Sequence, residues 1–303
     1  MVGILFLSLS VFLFSTMELT SKFISDDFNF IQLTFLRFFL GTFVFIFFIV
    51  FKKDLRKELE NLNIKMFLKL SSLGFLNVFI SMLLLQYSVE KGNASIAAVL
   101  IGSHPIFVYI LNLIFFKEFD RIKLIKIFLG ILGILFLILF SGKITKTINY
   151  IPSITGLLSS FFFALFTFLS NRFLKNNSTI IVNFICFFSG IIFLLPFFLY
   201  KNNYLLKNIN LSNSSILIYL GFFVTGCGYL FYYEGFKRLN VVDGSMIFFL
   251  KPLLGSILAV IILKEKLNLY QFLGIILIII SLTNFRKGNR VENNNRIKKD
   301  NDN

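Results

Sequence analysis

Tryptophan is absent from the 303 residues, histidine occurs once, cysteine twice, and only 15% of the chain is charged. Each shortage excludes something. A soluble domain of this size covers itself with about 25% charged residues, far more than are present. One histidine, His104, and two separated cysteines, Cys186 and Cys227, without an HExxH pattern, argue against a zinc enzyme. The cysteines lie inside apolar runs and form neither CxxC nor a disulfide framework. Ser141-Gly142-Lys143 lacks the upstream glycine of a Walker loop, and no serine sits in a nucleophile elbow. Neither ATP drive, an enzyme activity, a metal nor a cofactor is expected within this chain.

What is present is apolar. Hydrophobic residues make up 57% of the chain, with 44 phenylalanines, and the mean hydropathy is +0.84. A membrane span needs about 20 apolar residues, because ~30 Å of hydrocarbon is crossed at 1.5 Å per residue. Ten such windows occur, near 4–24, 31–51, 66–88, 95–116, 124–141, 151–171, 180–200, 215–236, 244–263 and 270–285. Each is much longer than the ~10 alternating residues of a barrel strand, so helices are expected. The fold class is all-α and polytopic, with ten transmembrane helices. The first run carries no basic residue before Lys22, unlike a signal peptide, and is expected to be retained as a span. The Asn/Lys/Arg/Asp-rich segment 286–303 is expected to be a disordered basic tail.

The formal net charge is +15. In a soluble protein this excess would suggest nucleic acid; here the basic residues occupy short connectors and no nucleic-acid partner is expected. With the amino terminus inside, nineteen Lys and Arg fall on the cytoplasmic side and seven on the other, leaving Lys22, Arg37, Lys69 and Lys251 within spans. That bias predicts both termini in the cytoplasm of a cell in whose cytoplasmic membrane the chain sits.

The chain also repeats itself. Phe35-Leu-Arg-Phe-Phe-Leu-Gly41 matches Phe184-Ile-Cys-Phe-Phe-Ser-Gly190 at an offset of 149. Gly74/Gly221, Asn93/Asn240, Pro105/Pro252 and Lys117-Glu118/Lys264-Glu265 match at 147. Two of only four prolines at equivalent positions is informative. Two halves of five spans follow, 1–145 and 150–285. An odd number of crossings inverts the second half, the arrangement behind alternating access in many secondary transporters.

Ionisable groups inside hydrocarbon cost about 2.5–3.5 kcal/mol on insertion scales and call for a reason. His104-Pro105 and Lys251-Pro252 fall near the middle of spans four and nine, and the repeat superposes them. Proline removes a helical hydrogen bond, so each ionisable side chain sits beside a loosened turn at the midplane, the best sequence pointer to a transport site. A packing kink with the polar group satisfied by a neighbour is the plain alternative. Glu18 and Arg37 lie at similar depth in the first two spans. They either neutralise each other or serve transport, Glu18 then acting as a proton- or ion-coupling carboxylate. Three deep cations against one deep carboxylate favour a substrate with an anionic group. Asn77, Tyr229 and Tyr233 are further candidates for a polar cavity, with helix–helix hydrogen bonding the commoner use. Glu234 beside Lys237-Arg238 suggests an interfacial ion pair.

Tyr232-Tyr233-Glu-Gly-Phe-Lys-Arg-Leu-Asn240, Phe248-Phe-Leu-Lys-Pro252 and Leu263-Lys-Glu265, followed by a Gly274-centred run, resemble the EamA-type repeat of the drug/metabolite transporter superfamily. That repeat has a Y-x-x-A-L-K stretch, a mid-helix proline and a terminal G-E. A weaker copy in the first half contains Tyr87, Ala97-Ala98, Pro105, Lys117-Glu118 and Gly130. Gly235 replaces the alanine, and lysine precedes Glu118 and Glu265. The resemblance covers about 4–285. It implies two inverted five-helix repeats around a cavity lined by helices one, three, four, six, eight and nine, and transport of a small metabolite. Export or exchange of an amino acid is the leading expectation. Uptake or antiport of a nucleotide-like or sulfonium metabolite, or a non-transporting membrane scaffold, are the alternatives. Lipid is the expected surrounding, and a homodimer is compatible with it.

Overall fold

In hydrocarbon an unpaired backbone amide costs several kcal/mol, and a helix pairs all of its own; the apolar runs accordingly fold as helices. The computed structural model describes residues 1–92, 94–117, 119–139, 150–174, 177–200, 210–254 and 269–282, which are helical and without strands. Seven helical stretches are long and apolar enough to cross a membrane. They are α1 (Val2–Phe23), α2 (Phe30–Phe51), α4 (Ile64–Lys91), the stretch Ile96–Phe116, α8 (Tyr150–Leu174), α9 (Thr179–Tyr200) and α10 (Ser212–Phe236). A short polar helix, α3 (Lys53–Glu60), follows α2. The stretch Ile96–Phe116 is broken at Ser103 into α5 (Ala94–Gly102) and α6 (His104–Phe116). Arg121–Leu139 forms α7, Val241–Met246 α11 and Leu269–Leu282 α12.

The other three expected windows are only partly described. That at 124–141 runs past Leu139, the last described residue of α7. The windows at 244–263 and 270–285 run beyond the described residues, as do Glu118, Lys264-Glu265 and the tail 286–303.

Both prolines mark interruptions. Pro105 stands in the first turn of α6, where its missing N–H costs nothing. Before Pro252 the helix tightens into a 3₁₀ turn at Ile247–Phe249. The two loosened regions touch: a Cβ on Gly102 would lie 3.2 Å from Cγ of Pro252.

A second pair of irregularities lies at repeat-related positions. Phe75–Met82 of α4 and Tyr219–Cys227 of α10 are π-helical, a widened geometry common at functional sites. Each is crossed by a glycine-bearing helix. At Gly74 a Cβ would stand 2.2 Å from the carbonyl oxygen of Cys186 in α9, and at Gly190 it would stand 2.5 Å from Cβ of Val78. Across the molecule, a Cβ at Gly221 would stand 2.4 Å from Cβ of Leu40 in α2. The repeated FxxFFxG segment therefore supplies the small residue at both crossings. Removing side chains here lets backbones approach, which drives association where lipid is as apolar as leucine.

Candidate functional site

Where α1, α2, α4, α5, α8, α10 and the helix through Lys251 converge, they line a cavity. Phe14, Arg37, Phe163, Thr225, Tyr229 and Lys251 are among its walls, with Met17, Met82, Leu85, Ile101, Val224 and Phe248 completing it. The space left for water centres is about 20 Å³, enough for one or two waters.

Lys251 and Glu18 meet at the cavity's edge. Lys251 Nζ donates to Glu18 Oε1 at 2.5 Å, with the two side chains 4% and 2% exposed. The pair ties α1 to the helix beyond the 3₁₀ turn, in opposite halves of the chain. This corrects one expectation: Glu18 is neutralised by Lys251, and no Glu18–Arg37 ion pair is present among the described residues. Lysine's four-carbon stem can reach across a gap between helices, a reach that sequence proximity does not reveal.

Arg37 is left with less. It is 2% exposed, its Nε and Nη1 make no hydrogen bond among the described residues, and its guanidinium carbon sits 5.1 Å from the ring centre of Phe38. Cation–π contact is worth about 2 kcal/mol or more when desolvated, well short of a buried counter-ion. The second oxygen of Glu18 also lacks a hydrogen-bond partner among the described residues.

The other candidates divide. Tyr229 lines the cavity, and its hydroxyl donates to Asn77 Oδ1 at 3.2 Å, leaving the Asn77 amide nitrogen unbonded. Asn77 therefore stands behind Tyr229 and orients it. His104 lies outside the cavity wall, packed on the rings of Phe163 and Phe248, and its Nε2 is 3.3 Å from Thr167 Oγ1. Tyr233 is buried against Phe166 and Tyr232, also off the cavity. Glu234 pairs with Arg238, as expected of an interfacial residue.

Sequence reading passed over several wall residues. Phe14, Phe163 and Phe248 form an aromatic cage with Tyr229 and Tyr232. In a chain with 44 phenylalanines no single one stands out. Thr225 was findable as a polar residue inside span eight. Gln86, off the cavity wall but fully buried with both amide atoms unbonded among the described residues, carried the same signal in span three.

Long apolar helices around a small cavity with buried charges define a multi-pass membrane protein. The chain belongs to the EamA-like transporter family, whose family model matches residues 1–139 and 151–284. It is thus a membrane transporter of the drug/metabolite class. An uncharacterized transporter of Clostridium kluyveri is 27% identical over 294 residues, covering 93% of each chain. A protein known from a crystal structure, 16% identical, superposes with a TM-score of 0.74 over 92% of this chain and 94% of its own, and so has the same fold.

Proposed function

We propose that the protein is a secondary transporter of the cytoplasmic membrane that exports or exchanges a small metabolite bearing an anionic group, an amino acid first among candidates. Ten helices in two inverted halves, 1–145 and 150–285, rock around the cavity, with both termini and the basic tail 286–303 in the cytoplasm. The observation carrying the anionic reading is Arg37. With Lys251 committed to Glu18, it is the cavity cation whose donors await a partner. A substrate carboxylate would supply it. Glu18, with one oxygen unbonded, is the candidate for proton or ion coupling. The aromatic walls suit an apolar or ring-bearing substrate body.

The test is counterflow in proteoliposomes against pooled labelled metabolites, with and without a pH gradient. Exchange of at least one carboxylate-bearing pool is expected. Arg37→Gln should weaken its half-saturation about tenfold or more, the loss expected when a charge-assisted hydrogen bond is removed. Absence of exchange with every pool overturns the transporter reading. Exchange indifferent to Arg37→Gln removes the anion site.

A further inference from the structure

The two ends of the bundle carry matching carboxylates, and α1 shows that they lie at opposite faces. Lys22, at the end of α1, donates to the carbonyls of Val89, Glu90 and Gly92 at 3.2, 2.8 and 3.2 Å, so α4 ends where α1 ends. Gly3, at the start of α1, is so close to the end of α10 that a Cβ there would lie 3.0 Å from Cβ of Arg238. The 22 residues of α1 separate these ends, about 30 Å at 1.5 Å per residue.

At one face Glu90, in the last turn of α4, pairs one oxygen with Lys91 at 2.8 Å. Its other oxygen accepts the backbone N–H of Phe30, the first residue of α2. Tyr87, one turn earlier, packs edge-on against the Phe30 ring at 5.2 Å. At the opposite face Glu234, in the last turn of α10, pairs one oxygen with Arg238. Its other oxygen accepts the hydroxyl of Thr179 at 2.5 Å, and Thr179 is the first residue of α9. Phe30 and Thr179 are 149 positions apart, the offset of the internal repeat. Each carboxylate thus holds a basic residue of its own segment and reaches across to the repeat-equivalent helix start. Both are made at once in this one conformation, at the ends of helices α4 and α10 that also line the cavity.

We propose that Glu90 and Glu234 are the latches of two gates, one at each face, and that each must release for its own face to open. This rests on the alternating-access reading above. A charge-assisted hydrogen bond of this kind is strong enough to bias a conformational equilibrium about tenfold or more, yet weak enough for substrate binding to overcome. Glu90 and Glu234 are not among the residues that line the cavity, so they position the gates and do not touch substrate.

The experiment reads access and needs no substrate. Thr225→Cys, on the cavity wall, is the reporter in a full-length background carrying Cys186→Ala and Cys227→Ala. It is labelled by a membrane-impermeant maleimide in right-side-out and in inside-out vesicles. Glu90→Ala should raise labelling about tenfold from the face of Glu90 and lower it from the other; Glu234→Ala should do the reverse. Thr179→Val removes only the hydroxyl and should mimic Glu234→Ala, and Glu90→Gln should give a smaller shift of the same sign; these two serve if an alanine variant misfolds. Equal changes at both faces, or none, overturn the proposal. Opposite shifts in a protein that exchanges no metabolite would leave the latches standing while the transport reading fell.

Discussion

Lys251→Met is expected to lower stability by about 3–5 kcal/mol and to abolish transport, because it strands a buried carboxylate. Glu18 is 2% exposed, and Lys251 holds one of its oxygens while the other has no hydrogen bond among the described residues. Without the lysine, either a charge remains in a low-dielectric core or the carboxyl takes up a proton, and both cost free energy. The double variant Glu18→Leu/Lys251→Met removes both charges and keeps apolar volume. It should regain most of the thermal stability, as replaced buried pairs commonly do, yet transport should stay lost. Thermal unfolding of detergent-purified protein checks the first half, and counterflow the second. Arg37→Met provides the contrast: it deletes a cation that has no ion-pair partner within reach among the described residues and lies over the Phe38 ring, so it should cost less stability. If Arg37→Met destabilised as much as Lys251→Met, Glu18 would be leaning on the arginine after all.

Gly74→Ala should be nearly as damaging, although it adds one methyl group. The added carbon would lie 2.2 Å from the Cys186 carbonyl oxygen and 2.3 Å from Ser189 Oγ. The first obstacle is backbone and cannot swing away, so α4 and α9 must separate along the crossing. Overpacking costs about 1–3 kcal/mol, occasionally more, and this geometry belongs at or above the upper end. A folded yield sharply below that of the parent, read by size-exclusion chromatography after expression, is the expected result. Gly102→Ala is the control, since its nearest neighbour is Cγ of Pro252 at 3.2 Å and a few tenths of an ångström suffice. Equal behaviour of the two variants would mean that the α4–α9 crossing tolerates separation.

Much of this architecture was readable along the chain. Hydropathy located the helices, since every buried amide in lipid must pair within its own segment. Pro105 and Pro252 announced the two interruptions because proline cannot donate the missing bond. The offset matches of Gly41 with Gly190 and Gly74 with Gly221 were visible as repeats, but their meaning as two backbone crossings was not. Proline acts on its own helix, whereas a glycine at a crossing acts on a partner that sequence order does not name. The π-helical turns left no mark at all, being a choice among backbone hydrogen-bond registers that side-chain pattern scarcely influences.

The candidate site was legible as a set of residue types and illegible as a set of pairs. Depth alone singled out Glu18, Arg37, His104 and Lys251, because an ionisable group in hydrocarbon is costly wherever it sits. The sequence by itself determined that this protein is helical, membrane-embedded, internally repeated and burdened with a surplus of buried positive charge. Only the tertiary structure decided that Lys251 takes Glu18, that His104 packs behind Phe163 and Phe248, and that Arg37 keeps donors without partners among the described residues. The physical reason is that the cost of burying a charge depends on its own position along the chain, whereas its relief depends on distances of a few ångströms between helices far apart in sequence.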